Sequence, residues 1–303
     1  MDANSFTNSW TLTKIRMRLA MRNRTFLFFS LFMPLGFLFF FILVFARTDA
    51  GWTAYILGAI LTMTVMGSFW GLSVQLVTFR EQGILRRFRL APIGAGPMLA
   101  SSIVSNYLMT MPTVIIELLV CRFAFHMNSW GNLWAVFLLV TFGSVAFSSF
   151  GLIVASVTNT MQETQIINQL IWTGFLFLSG ATIPLAKFPG WIQRVSLFLP
   201  ATYLATGLEA ATTNLATINE IVTDVVALSI GVIVSFEISR RLFRWEPEAK
   251  VSPRAKLWVV VAMIPFLIFG AYENAVGSRL ARIQRDYRIL QEYEAPSNDH
   301  ENN

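Results

Sequence analysis

Residues 50–92 read AGWTAYILGAILTMTVMGSFWGLSVQLVTFREQGILRRFRLAP. From 50 to 79 there is no Asp, Glu, Lys or Arg; from 80 onwards come Arg80, Glu81, Arg86, Arg87 and Arg89. About 20 apolar residues in a helix cover the ~30 Å of a bilayer's hydrocarbon. Backbone in lipid must satisfy its own hydrogen bonds, so an uncharged run of this length predicts a membrane-crossing helix. The arginines that follow predict a loop on the cytosolic side, where Lys and Arg accumulate.

The pattern recurs on both sides. Residues 25–46 predict the first span and 50–79 the second. Residues 90–116, 133–157, 164–186 and 221–242 predict the third to sixth, and 257–276 a shorter seventh. Val44-Phe45-Ala46 resembles a signal-peptide cleavage site. The apolar region is too long for a signal peptide, however, and about 25 residues precede it, so a retained anchor is expected.

Basic residues set the orientation. Lys14, Arg16, Arg18, Arg22 and Arg24 precede the first span; Arg80, Arg86, Arg87 and Arg89 follow the second; Arg240, Arg241, Arg244, Lys250, Arg254 and Lys256 follow the sixth. With alternating spans these all fall on one side, and the opposite loops hold only Arg47, Arg122, Lys187 and Arg194. The bias predicts a multi-pass protein of the cell (inner or plasma) membrane with its N-terminus in the cytoplasm. Trp52, Trp130, Trp134, Trp191, Trp245 and Trp258 lie near the predicted interfaces, where amphipathic rings are favoured; Trp70 and Trp172 lie deeper.

Composition agrees. The 303 residues are 55% hydrophobic and 13% charged, about half the charge of a soluble domain. The single cysteine, Cys121, excludes an intrachain disulfide and a cysteine-based metal site. The net charge of +6 comes from basic residues beside apolar spans facing anionic lipid, so no nucleic-acid partner is expected.

No catalytic or metal-binding constellation can be assembled. His126 sits at an outer interface and His300 in the tail. Residues 180–187 lack the Gly-Lys-Ser/Thr ending of a phosphate loop, so this chain does not bind ATP by that route. The spans are expected to lack buried ionisable residues: Glu117, Asp224 and Glu273 fall near outer ends and Glu237 near an inner end, with Arg241 four residues on. That expectation argues against an ion-coupled secondary transporter, which would also need inverted repeats. A seven-helix membrane sensor is the other alternative.

Two segments stand out. After the second span, Ile84, Leu85 and Phe88 make one short apolar face while Arg86, Arg87 and Arg89 point elsewhere, and Pro92 should end the helix. Between the fifth and sixth spans, Ser179-Gly180-Ala181-Thr182-Ile183-Pro184-Leu185 leads to Phe188-Pro189-Gly190-Trp191 and on to Leu199-Pro200-Ala201-Thr202-Tyr203. This stretch is too apolar for an ordinary loop and too often broken to span, so short re-entrant or interfacial helices are expected.

The Glu-x-Gly-x-Leu-x-Arg-x-Arg-x-x-Pro pattern from Glu81 to Pro92 resembles the cytosolic loop of ABC-2 type permeases, and the Leu178-to-Tyr203 pattern resembles the same family's signature before its last shared helix. The likeness covers roughly residues 10–245. It implies an all-α polytopic fold: a six-helix ABC-2 type core, an N-terminal interfacial (elbow) helix over 1–24, a transmembrane domain over 25–245, and short re-entrant helices marked by Gly180, Pro184, Pro189, Gly190, Trp191 and Pro200. The family pattern lacks the linker and extra helix at 246–276 and the amphipathic, disordered tail at 277–303.

The resemblance further implies an export permease that is not itself an enzyme and carries no cofactor, with ATP and Mg on a separate ABC ATPase subunit present in two copies. The permease would act as a homodimer or pair with a related permease. Glu81, Gly83, Leu85, Arg86, Arg87 and Arg89 would form the coupling helix, with Glu163 in a second contact over 159–163. The elbow would lie along the inner leaflet on Leu12, Ile15 and Leu19, with Arg16 intruding on that face. The expected substrate is amphipathic: drug-like, a lipid or a lipid-linked glycan. Its pathway would be lined by Ser68, Phe69 and Gln75 of the second span and Asn168, Gln169, Trp172 and Thr173 of the fifth.

In the tail, Val276, Leu280, Ile283, Tyr287 and Leu290 recur at four- and three-residue steps and predict an amphipathic helix on the outer leaflet or on a twin. Arg279, Arg282, Arg285 and Arg288 oppose translocation, yet the seventh span is expected to cross and to leave the tail outside.

Overall fold

The computed structural model describes residues 3–22, 24–46, 50–89, 94–127, 129–245 and 257–294. Among them the regular elements are all helical: α1 (Ala3–Arg22), α2 (Arg24–Phe41, continued by a π-helical turn Ile42–Ala46), α3 (Ala50–Glu81), α4 (Ile84–Arg89), α5 (Ala95–Phe123), α6 (Leu133–Val157), α7 (Met161–Leu178), α8 (Gly190–Ser196), α9 (Pro200–Thr212), α10 (Ile218–Leu242), α11 (Leu257–Val276) and α12 (Ser278–Glu294). Pro92, the linker 246–256 and the tail beyond 294, for which predictions were made, lie outside the described residues.

Five helices, α3, α5, α6, α10 and α11, are long and apolar enough to cross a membrane. The chain is a multi-pass membrane protein. Helices α3 and α6 form its centre and the other three lie outside them. Glycines permit the central contact: a Cβ at Gly151 of α6 would overlap the Phe69 carbonyl of α3, and one at Gly58 of α3 would sit 2.6 Å from Glu209 Cα in α9. The outward surfaces remain apolar, as lipid contact requires; Phe28, Phe32, Phe37 and Phe40 of α2 are exposed, as are Ile264 and Ile268 of α11.

The first and fifth predicted spans correspond to α2 and α7. The apolar stretch of α2, Ser30–Phe45, is shorter than those of the five. The fifth span was drawn too long: α7 stops at Leu178, and Gly180, at φ +100°, turns the chain out of the helix. Within α7, Thr164, Asn168, Gln169 and Thr173 interrupt the apolar run.

The elbow, α1, packs against α5, but on a different face from the one read in the sequence. Leu12, Thr13 and Arg16 are buried and Ile15 is exposed; the Leu19 side chain lies outside the described residues. Arg16 faces the protein, donating to Ser102 Oγ, with its guanidinium 5.6 Å from the Phe79 ring centre. The deep tryptophans pack α3 on α7: Trp70 and Trp172 meet edge to face at 6.3 Å, and Trp172 lies 6.3 Å from Phe69.

The expectation of spans without buried ionisable groups fails. Glu117 and Asp224 have no exposure and Glu273 almost none. Glu117 accepts a 2.6 Å hydrogen bond from Thr64 Oγ1. Asp224 is paired with arginines of the C-terminal helix: Arg279 Nη1 lies 2.6 Å from Asp224 Oδ1 and Arg282 Nη1 3.3 Å from Oδ2. Burial works against the Arg279 charge, but Asp224 and Glu273 outweigh it and hold the guanidinium above its ordinary range.

These contacts correct the reading of the tail. Ile283, Tyr287 and Leu290 line a cavity together with Thr206, Glu209 and Ala210 of α9, and Leu290 is buried, so this part of the stripe is turned towards the chain itself, while Val276 is exposed. Because α12 touches Thr206 of α9, Ala186 of the preceding turn and Trp52 at the start of α3, it sits at the end of the molecule opposite Arg80 and Arg244, and α11 runs from one end to the other.

Candidate functional site: a loop junction and a polar helix face

Glu81 ends α3, and Gly83, at φ +68°, makes the turn into α4, a conformation that favours glycine. The six-residue α4 is anchored by Leu85, which is fully buried among Leu72, Leu76, Met98, Leu99 and Leu152. Arg86 and Arg87 are exposed on its other side. The Arg89 and Phe88 side chains lie outside the described residues.

The last turn of α3, which leads into this short helix, is wired to two other loops. Glu81 Oε1 accepts from Met161 N at 2.7 Å, which joins α4's hinge to the first residue of α7. Arg80 donates to the carbonyls of Ala155 (2.8 Å) and Thr158 (2.7 Å) at the end of α6. Arg244, just past α10, donates to the same Thr158 carbonyl at 2.7 Å and to that of Ser156 at 3.2 Å. A helix's last carbonyls have no intrahelical donors and carry the negative end of its dipole, so two guanidiniums are well placed there. Burial lowers the Arg244 pKa, opposed by nearby Glu163.

Glu163, expected to touch a partner, has a local task. Its carboxylate accepts from Asn159 N at 2.8 Å, and Thr160 Oγ1 accepts from Glu163 N at 3.1 Å, a reciprocal cap on α7. The junction therefore ties α3, α4, α6, α7 and the end of α10 together, with Arg86 and Arg87 as exposed charges on its surface.

The residues predicted to line a pathway divide into two groups. Ser68, Phe69 and Asn168 are buried. Asn168 Nδ2 donates to Ser73 Oγ at 2.7 Å, and Ser68 Oγ lies 3.4 Å from Thr110 Oγ1; these bonds hold helices together. Gln169 and Thr173 are exposed, with Gln169 Nε2 3.3 Å from Thr173 Oγ1, while Gln75 and Trp172 are half-buried. Gln162, Gln165, Gln169 and Thr173 follow one face of α7, interleaved with exposed Ile166, Leu170 and Phe177.

The broken segment forms short helices as expected. Gly180 is buried, Pro184 precedes the 3-10 turn Leu185–Lys187, and Pro189 and Gly190 start α8. Trp191 is exposed, and Pro200 opens α9, whose residues are all buried. Sequence reading did not find the linking roles of Arg80 and Arg244, since an arginine on a carbonyl cluster leaves no spacing signature. Nor did it find the Asp224 pairings, although acids and arginines at the same predicted level were a usable signal.

A family profile described as ABC-2 type transporter matches residues 7–212. YvfS of Bacillus subtilis (strain 168), named as a putative transport permease, is 23% identical over 205 residues, or 63% of this chain and 80% of that protein. The linearmycin resistance permease protein LnrN of the same strain is 25% identical over 157 residues, or 52% of this chain and 40% of that protein. Helices α10, α11 and α12 lie beyond the region the profile matches.

Proposed function

The chain belongs to the ABC-2 type transporter family, and from that premise we propose that it is the membrane-spanning subunit of an ATP-driven exporter. It moves an amphipathic drug-like, lipid or lipid-linked glycan substrate out of the cytoplasm. ATP and Mg bind on a separate ABC ATPase subunit, present in two copies, and the permease pairs with itself or with a related permease. The N-terminus, α4 and the 158–163 turn face the cytoplasm. In this reading 25–245 is the transmembrane domain, with α2 and α7 as its first and fifth crossings.

The observation that carries the reading is the exposed face of α7. At membrane depth, amides and hydroxyls facing lipid are costly, whereas the same groups facing a second permease or a water-filled path are satisfied. The face of Gln162, Gln165, Gln169 and Thr173 is thus the wall of a route between two permeases, with Gln75 and Trp172 at its margin. Arg86 and Arg87 are the coupling charges on α4.

Affinity purification of the tagged chain from its native membrane tests the partner. The expected result is co-purification of an ATPase subunit with a Walker motif, and its loss in an Arg86→Ala, Arg87→Ala variant that still inserts. Recovery of the permease alone, under conditions that preserve other membrane complexes, would contradict the proposal.

A further inference from the structure

We infer that α12 is a hinged strap that closes over a small cavity holding a buried acid at the outer end of the molecule and can lift from it. "Outer" rests on the orientation proposed above; the strap itself does not.

Three observations carry the inference. The first is a hinge. Gly277 joins α11 to α12 at φ +73°, a backbone region that favours glycine, with open space where a side chain would stand; the side-chain contacts that bridge the joint are polar, Ser278 Oγ donating to Glu273 Oε2 at 3.0 Å and Arg279 Nε lying 3.5 Å from Glu273 Oε1.

The second is the kind of bond that holds α12 down. Leu290 is its only buried apolar side chain among the described residues. Ile283 and Tyr287 are half-buried on the same side, and the remaining contacts are polar and directional: Arg279 and Arg282 pair with Asp224 of α10, Arg282 Nη2 donates to the Thr206 carbonyl of α9 at 3.1 Å, and Arg285 Nη2 lies 3.4 Å from Glu220 Oε1. Gln284 reaches Gln193 of α8, and Tyr287 and Trp52 flank the Lys187 ammonium at 5.7 and 5.8 Å. Water can replace such contacts, which it cannot do for a sealed apolar interface; polar interfaces within one chain are the ones that move.

The third is what lies beneath. Tyr55, Thr206, Glu209 and Thr213 line a cavity roofed by Arg282, Asp286 and Tyr287, with room for about one water. Glu209 Oε1 is buried there without a hydrogen-bond partner. Lifting α12 would hydrate both this carboxylate and Asp224, which otherwise depends on the strap's arginines for its counter-charge. The closed and open forms are therefore two discrete arrangements, each satisfying the buried acids by different means.

The test uses the full chain in sealed membranes, with Cys121→Ser and a reporter at Ala210→Cys, a buried residue lining the cavity. A charged, membrane-impermeant methanethiosulfonate is the probe, and Asn219→Cys, exposed at the start of α10, is the reference. The strap predicts labelling at 210 at least tenfold slower than at 219, and at least a tenfold rise at 210, with 219 unchanged, in the Arg279→Gln, Arg282→Gln variant. If that variant fails to accumulate, Gln284→Ala with Arg285→Gln removes only the outer contacts and should raise labelling at 210 about threefold. Protection at 210 that persists in every variant that accumulates would show a fixed wall and overturn the inference, as would equal labelling of both sites in the parent. If the reagent reaches Asn219→Cys only after lysis, the proposed orientation is wrong, and the same comparison in opened membranes still reads the strap.

Discussion

Arg80 and Arg87 lie seven positions apart in one loop sequence and do different work. Arg80 is buried and supplies two hydrogen bonds to the end of α6. Replacing it with alanine strands the Ala155 carbonyl and leaves that of Thr158 to Arg244 alone, a loss of about 3 kcal/mol by the usual worth of charge-assisted bonds. The thermal midpoint of the detergent-solubilised Arg80→Ala chain should fall by roughly 5 °C or more; an unchanged midpoint would refute the capping role. Arg87 is exposed, so Arg87→Ala should leave that midpoint where it is. Gly151 makes a sharper case. Its Cβ would overlap the Phe69 carbonyl, so Gly151→Ala must push α3 and α6 apart at their closest contact, at about 2 kcal/mol, whereas Gly174→Ala, in open space on α7, should cost nothing measurable in the same melt.

Among the elements, α7 and α12 carry the exposed questions. If the polar face of α7 meets a second copy, Gln169→Cys in a Cys121→Ser background should form a dimer on mild oxidation in native membranes, while Ile233→Cys on the exposed face of α10 should not; dimer from neither would place the twin elsewhere or point to a related permease. For the tail that follows α12, Ser297→Cys should be labelled by a membrane-impermeant thiol reagent in intact cells, and labelling only after lysis would put the tail in the cytosol. Much of this was legible in the sequence. The long apolar runs located α3, α5, α6, α10 and α11 because lipid leaves the backbone little choice, and the Pro and Gly positions between 179 and 200 announced the short helices. The failures share one cause: partners distant in sequence. Arg16 looked like an intruder on an apolar face because its acceptor, Ser102, belongs to another helix. Asp224 looked like a residue at a water interface because the arginines that bury it lie more than fifty positions on. The stripe of α12 was visible, but a hydrophobic period does not say whether lipid, a twin or the chain itself covers it.

For the molecule as a whole, a hydrogen bond joins the junction under α3 to the helix with the polar face: Met161, held by Glu81, is the first residue of α7, which exposes Gln169 and Thr173. Movement imposed on α4 would thereby rotate the proposed pathway wall, and this is how the fold would turn ATP hydrolysis into transport. The most direct test is a reconstitution of the chain with its ATPase in sealed vesicles, following a fluorescent phospholipid analogue and phosphate release together. The account predicts lipid movement only while ATP is hydrolysed, and, in an Arg86→Ala, Arg87→Ala variant assembled at saturating ATPase, continued hydrolysis with lipid movement reduced at least tenfold. Lipid movement at the same rate without ATP hydrolysis, or full coupling in that variant, would contradict it.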